Sequence, residues 1–225
     1  SKSAWQSRPD IRNAYSTLVP LAAHSPWSPA LGPAHLPWLF QKEPPDNWPT
    51  PTKPELWFCY RTNPAISSWN APEVAERVAE FPFTVAFAYT RDETNHMADI
   101  LLPEATDLEG LQIIQVGGTK FIENFWDHHG WAIRQPVADA GIDCRDMTDI
   151  ATDLARRTGL LNPYNEAINR GAAGVALRGE GYDYALDPGQ AHNRETVWDR
   201  FARAASHGLS AGREVRELAW FKENG

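Results

Sequence analysis

The chain has 225 residues, which suits one large domain or a domain with appendages, because single cores grow to about 250 residues. A formal charge of −8 and the lack of any Lys/Arg-rich run argue against a nucleic-acid binder, which needs cations to neutralise phosphates. No stretch approaches the roughly 20 apolar residues of a membrane span, and the two cysteines, Cys59 and Cys144, fall short of a zinc or iron–sulfur ligand set. Two unpaired thiols fit a cytoplasmic origin, and no direct membrane insertion is expected.

Residues 1–54 carry Pro26, Pro29, Pro33, Pro37, Pro44, Pro45, Pro49, Pro51 and Pro54, which deny a helix its donors and fix φ. The segment reads as an irregular Pro/Trp-rich arm, with Trp27, Trp38 and Trp48 as candidates to pack on a neighbouring surface.

From Glu55 the texture changes. LWFCY is a short apolar run, RTNP a turn, APEVAERVAEF a helix capped by Asn70 with Val74, Val78 and Phe81 on one face, and TVAFAY a second apolar run. ADILLP (98–103) supplies a third. Apolar runs without alternation suggest strands buried on both faces, as in a parallel sheet built from βαβ units.

Between Gly110 and Asp143 the pattern weakens: VGG suggests a turn, and FIENFW and WAIRQPV suggest strands or an irregular lobe. RDMTDIATDLARRTG then predicts a helix, with Met147, Ile150, Ala151 and Leu154 on its apolar face and Gly159 ending it. Residues 171–192, rich in Gly and Ala, read as a surface loop. A helix follows from Asn193 or Arg194, with Val197, Trp198, Phe201 and Ala205 on one face and Gly208 as its stop, and an amphipathic stretch runs from Arg213 to Asn224. The expected class is α/β: a three-layer parallel sheet with helices on both faces over 55–160, preceded by the arm (1–54) and followed by a helical extension (161–225).

In an open parallel sheet, ligands bind beyond the carboxyl ends of the strands. The loop after the first strand offers Arg61, Thr62, Asn63 and Ser67; the loop after the second offers Tyr89, Asp92, Glu93 and Thr94; the loop after the third offers Glu104, Thr106 and Glu109. Amide, hydroxyl and carboxylate groups suit purine edges and ribose hydroxyls, since together they donate and accept. The plainer alternative is that Asn63-Pro64 forms a simple turn and Asp92 caps the next helix. His128 and His129, adjacent on an extended segment, point opposite ways and make a poor metal pair. No GxSxG elbow or GxGxxG loop occurs.

The order Asn63-Pro64, Glu93-Thr94, Ala98-Asp99, Leu102-Pro103 and Leu108-Glu109, followed by RDMTDIATDLARRTGL, resembles the third domain of the dimethyl-sulfoxide-reductase family of molybdenum and tungsten oxidoreductases. The resemblance implies a module that cradles the guanosine end of a bis(molybdopterin guanine dinucleotide) cofactor. It implies Thr62, Asn63, Ser67, Ala88, Tyr89, Glu109 and Asp146 as the cofactor-facing positions, with no catalytic residue and no metal ligand among them. Ala88 departs from the pattern, since the family commonly places an acidic residue there. Other domains of the same large subunit and an iron–sulfur electron-transfer subunit are the implied partners, and the chain alone is expected to be inactive. LPEATDLEG and the DHHGWAIRQPV segment look closest to the branch containing thiosulfate and polysulfide reductases. A stand-alone flavodoxin-like or receiver-like binding module is the alternative from another class, although no acidic pair opens the first strand and no phosphate loop follows it.

Overall fold

A computed structural model describes residues 55–67, 71–117, 129–141, 143–171 and 174–225. The expected arm (1–54), the Asn70 cap and the FIENFW segment lie outside the described residues. The chain divides into two compact units, Ser1–Leu102 and Pro103–Gly225.

In the first unit, β1 (Trp57–Tyr60), α1 (Pro64–Ser67), α2 (Ala71–Ala79), β2 (Thr84–Ala88), a 3-10 turn (Asn95–Met97) and β3 (Ile100–Pro103), which reaches the boundary, follow in order. The strands form a three-stranded sheet in the order β1-β2-β3. β1 and β2 run parallel, with Trp57 opposite Thr84 and Tyr60 opposite Phe87. The Asp99 N–H, just ahead of β3, donates to the Thr84 carbonyl at 3.0 Å, so the starts of β2 and β3 lie side by side and β3 is parallel as well. Val74, Val78 and Phe81 form one buried cluster with Trp57 packed on it, and the Trp57 and Phe81 rings stack at 5.0 Å. β2 is buried along four of its five residues, whereas Phe58 and Tyr60 of β1 and Ile100 and Leu102 of β3 are exposed. The unit is thus a mixed helix-and-strand fold with a small parallel sheet.

The second unit opens with the antiparallel pair β4 (Gln112–Gly117) and β5 (His129–Arg134), Gln112 opposite Arg134. The expected turn at VGG is instead partly strand, since β4 runs through Val116 and Gly117. Then come α3 (Met147–Arg157), α4 (Leu161–Asn169), the short hairpin β6 (Arg178–Gly179) and β7 (Tyr182–Asp183), α5 (Arg194–Ser210) and α6 (Leu218–Asn224). One core joins Leu111 and Ile113 to Ile168, Leu177, Leu186, Phe201 and Leu218. Phe201 meets the edges of Trp131 at 5.0 Å and Trp198 at 5.3 Å. Residues from 161–225 share this core with β4, and the compact units divide at Leu102/Pro103.

Two further expectations are corrected. Residues 171–192 are not a loop lying on the surface: Leu177 is 0% and Leu186 2% exposed. Asn169 fastens Leu186, its Nδ2 donating to the Leu186 carbonyl at 3.0 Å and its Oδ1 accepting from the Leu186 N–H at 2.8 Å. Asn165 Nδ2 donates to the carbonyls of Asp187, Pro188 and Gln190. These amides satisfy main-chain groups that would otherwise need water, which is what lets the segment bury apolar side chains. Gly208 does not stop α5 either. Gly208 is not among the residues with positive φ, and the helix runs through it to Ser210, with Ala211 in the left-handed conformation at φ 51°.

Candidate functional site

The expected positions divide between the units: Thr62, Asn63, Ser67, Ala88 and Tyr89 in the first, Glu109 and Asp146 in the second. Each group is built by its own local logic.

At the carboxyl end of β1 the chain turns through Arg61, whose φ of 45° is left-handed. For a residue with a Cβ this conformation costs about 1–2 kcal/mol. The Thr62 carbonyl accepts from Cys59 Sγ at 3.5 Å. The Asn63 carbonyl accepts from the Ser67 N–H at 3.0 Å and from Ser67 Oγ at 2.7 Å. Pro64 takes the first position of α1, where no N–H is needed. The Asn63 side chain reaches across to the loop after β2. Its Nδ2 donates to Glu93 Oε2 at 2.7 Å, and its Oδ1 accepts from Thr94 Oγ1 at 2.7 Å. The same Thr94 hydroxyl accepts from the Ala65 N–H at 3.0 Å. Thr94 is fully buried, so this one hydroxyl ties the two carboxyl-end loops together.

The loop after β2 is itself braced. Asp92 Oδ1 accepts from the N–H groups of Thr94 (3.0 Å) and Asn95 (2.8 Å), Asn95 Oδ1 accepts from the Asp92 N–H, and Asn95 Nδ2 donates to the Thr90 carbonyl. Asp92 thus braces the chain leading into the 3-10 turn, whose N-cap position is Thr94. The bond from Asn63 holds the exposed Glu93 carboxyl below its ordinary pKa. Ala88 ends β2 without a functional group, and Tyr89 beyond it is 50% exposed. The Arg61 guanidinium lies 5.1 Å from the Tyr89 ring centre and 5.6 Å from that of Tyr60. Thr62 and Asn63 thus lie in the loop after β1 and Ser67 ends α1 behind it, the loop being joined to Glu93 and Thr94 by Asn63 and adjoined by Tyr89 through Arg61.

Asp99 serves the opposite end of the sheet, its Oδ2 accepting from the Thr84 N–H at 2.7 Å. Cys59, 2% exposed, has its thiol pushed up to about 11, chiefly by burial and also by the charge of Asp92.

In the second unit Glu109 closes its own turn: Oε2 accepts from the Thr106 N–H at 2.7 Å, which holds the carboxyl below its ordinary pKa. Asp146 caps α3 through Oδ1, which accepts from the Thr148 N–H at 2.9 Å. Its Oδ2 accepts from the Leu111 N–H at 3.1 Å and lies 3.6 Å from Arg194 Nη1. A Cβ at Gly110 would come within 3.4 Å of that oxygen and 3.3 Å of the Thr106 carbonyl, so glycine allows the close approach. Both oxygens of Asp146 are engaged inside the unit, in a capping and stapling role.

Sequence reasoning missed the weight carried by Thr94 and the position of Arg61. The Glu93-Thr94 pair was visible as a motif, yet burial of the hydroxyl has no signature in residue type, and nothing in RTNP marks a left-handed arginine. Among the described residues no group of three or more His, Cys, Asp or Glu side chains is placed to hold a metal ion, and no helix is long and apolar enough to cross a membrane. His128 and the side chain of His129 lie outside the described residues. No protein-family model matches the chain, and a search of curated proteins finds no significant match.

Proposed function

We propose that this chain is a nucleotide-binding module of the large subunit of a molybdenum or tungsten oxidoreductase, holding the guanosine end of a molybdopterin guanine dinucleotide and doing no chemistry alone. The observation that carries the reading is the bridge of Asn63 to Glu93 and Thr94, which rigidifies two loops at the carboxyl ends of adjacent parallel strands, where ligands of open α/β sheets bind. The ordered blocks Asn63-Pro64, Glu93-Thr94, Ala98-Asp99, Leu102-Pro103 and Leu108-Glu109 supply the family.

The donor set fits a purine nucleotide. The ionised Glu93 carboxylate is an acceptor for guanine N–H groups, the half-exposed Tyr89 ring is a stacking surface, and Thr62 and Ser67 flank Asn63 in the chain after β1. Glu109 and Asp146 hold their turn and helix start in shape. The pterin-bound metal supplies the oxidation-state changes, while these residues bind and orient. Within the complete enzyme, the exposed aromatic and aliphatic side chains of β1 and β3 are covered by further domains of the same subunit, completing a three-layer sheet with helices on both faces. An iron–sulfur subunit accepts the electrons, and the assembly is cytoplasmic.

The test is the mass and metal content of the native gene product purified anaerobically, together with titration of the chain by guanine nucleotides. A product far larger than the 25.2 kDa chain that contains molybdenum or tungsten with pterin is expected. A native product of this size with neither would sink the reading in favour of a stand-alone flavodoxin-like or receiver-like module.

A further inference from the structure

We infer that Arg61, set between Tyr60 and Tyr89, is the anion-recognition element of the site and contacts the diphosphate of the bound nucleotide. This rests on the nucleotide-binding reading above and assigns a part of the site that the expected residues left open.

The first observation is backbone conformation. Arg61 takes φ 45° without being glycine, asparagine or aspartate, and strain of this kind persists where the surroundings hold it and concentrates at ligand clamps. A glycine would turn the chain here without steric cost, so the long cation is what the strained position gains. The second observation is side-chain placement. The guanidinium lies near two aromatic rings, 5.1 Å from Tyr89 and 5.6 Å from Tyr60, both at carboxyl ends of parallel strands. A guanidinium is a planar fork of N–H donors whose geometry matches phosphate oxygens bidentately, and contact with two rings limits the rotamer freedom lost when an anion binds. The third observation is charge order: Glu93, fixed by Asn63 on the same pair of loops, suits N–H donors of a base and repels phosphate. A ligand spanning the loops therefore meets a cation for its phosphates and a carboxylate for its base, which is the polarity of a nucleoside diphosphate.

The test is calorimetric titration of the 225-residue chain and its Arg61→Gly and Arg61→Lys variants with GDP, guanosine, ADP and inorganic pyrophosphate. GDP is expected to bind about tenfold or more tighter than guanosine, the scale of a charge-assisted bond. Arg61→Gly is expected to remove that advantage while unfolding at the same or a higher temperature, because glycine relieves the positive φ. Arg61→Lys, which keeps the charge without the fork, is expected to lose most of it. A folded Arg61→Gly that retains the GDP advantage overturns the inference, as does a wild-type chain that binds neither GDP nor pyrophosphate. GDP binding no tighter than guanosine likewise overturns the anion role, yet leaves the guanine reading standing. ADP binding as tightly as GDP, with the same dependence on Arg61, upholds the anion role and removes guanine from the proposed function.

Discussion

Among the described residues, the unit ending at Leu102 packs Val74, Val78 and Phe81 against Trp57, buries β2, and fixes its loops through Asn63, Asp92, Thr94 and Asn95. Among the described residues of the unit beginning at Pro103, twelve buried ones, from Leu111 to Phe221, form one apolar cluster. Its buried amides, Asn165 and Asn169, serve to hold a segment into that cluster. In one unit polar side chains shape a surface, and in the other they make burial possible. The difference matters because apolar burial is non-directional, whereas hydrogen bonds fix atoms in place. A cradle for a ligand needs the second kind of order.

The sharpest way to break the comparison is Phe201→Ala in α5. The ring is 1% exposed between two tryptophans, and its loss is expected to destabilise the second unit by about 3–5 kcal/mol, read by chemical denaturation. Thr94→Val is the counterpart in the first unit. It keeps the shape but strips the Ala65 N–H and Asn63 Oδ1 of their partner, for an expected loss of about 1–3 kcal/mol. Nucleotide affinity is expected to fall with it, and Thr94→Ser to restore both.

Alkaline titration sharpens the contrast further. The Cys59 thiol is raised from 9.0 to about 11, so the folded state disfavours the thiolate. Stability from this group is complete below about pH 9 and is lost as pH rises through 11. Thiol labelling below pH 9 is expected to modify the half-buried Cys144 first, and Cys59 only upon unfolding; equal labelling rates would contradict the packing of β1. The smallest effect is Ala211→Gly, which relieves the left-handed φ of 51° at the end of α5. A gain of about 0.5–1 kcal/mol is expected, visible as a modest rise in melting temperature.

Strands β1 to β3 and helices α2, α3 and α5 were legible because their apolar residues recur in runs or at helical spacing, and tertiary packing did not override them. α4 was not legible. Pro163 sits inside it, and Asn165 and Asn169 resemble loop residues although each is at most 1% exposed. Their amides bond main-chain groups distant in sequence, and no local pattern encodes such a partner. Within the candidate site, Asn63 and Tyr89 could be picked from their place after strands. Thr94 could not be ranked above its neighbours until its burial was seen, and Asp146 reads equally as a ligand acceptor or a helix cap until its partners are known.

The three carbonyls that converge on Asn165 Nδ2 also set how the protein ages. Hydrolysis of that amide to a carboxylate exchanges one nitrogen for one oxygen, with almost no change of volume. It nevertheless replaces the donor facing three acceptors with a buried negative charge facing them. The stretch 187–190 would then be repelled by the group that fastened it, leaving Asn169 alone to hold Leu186 against the core.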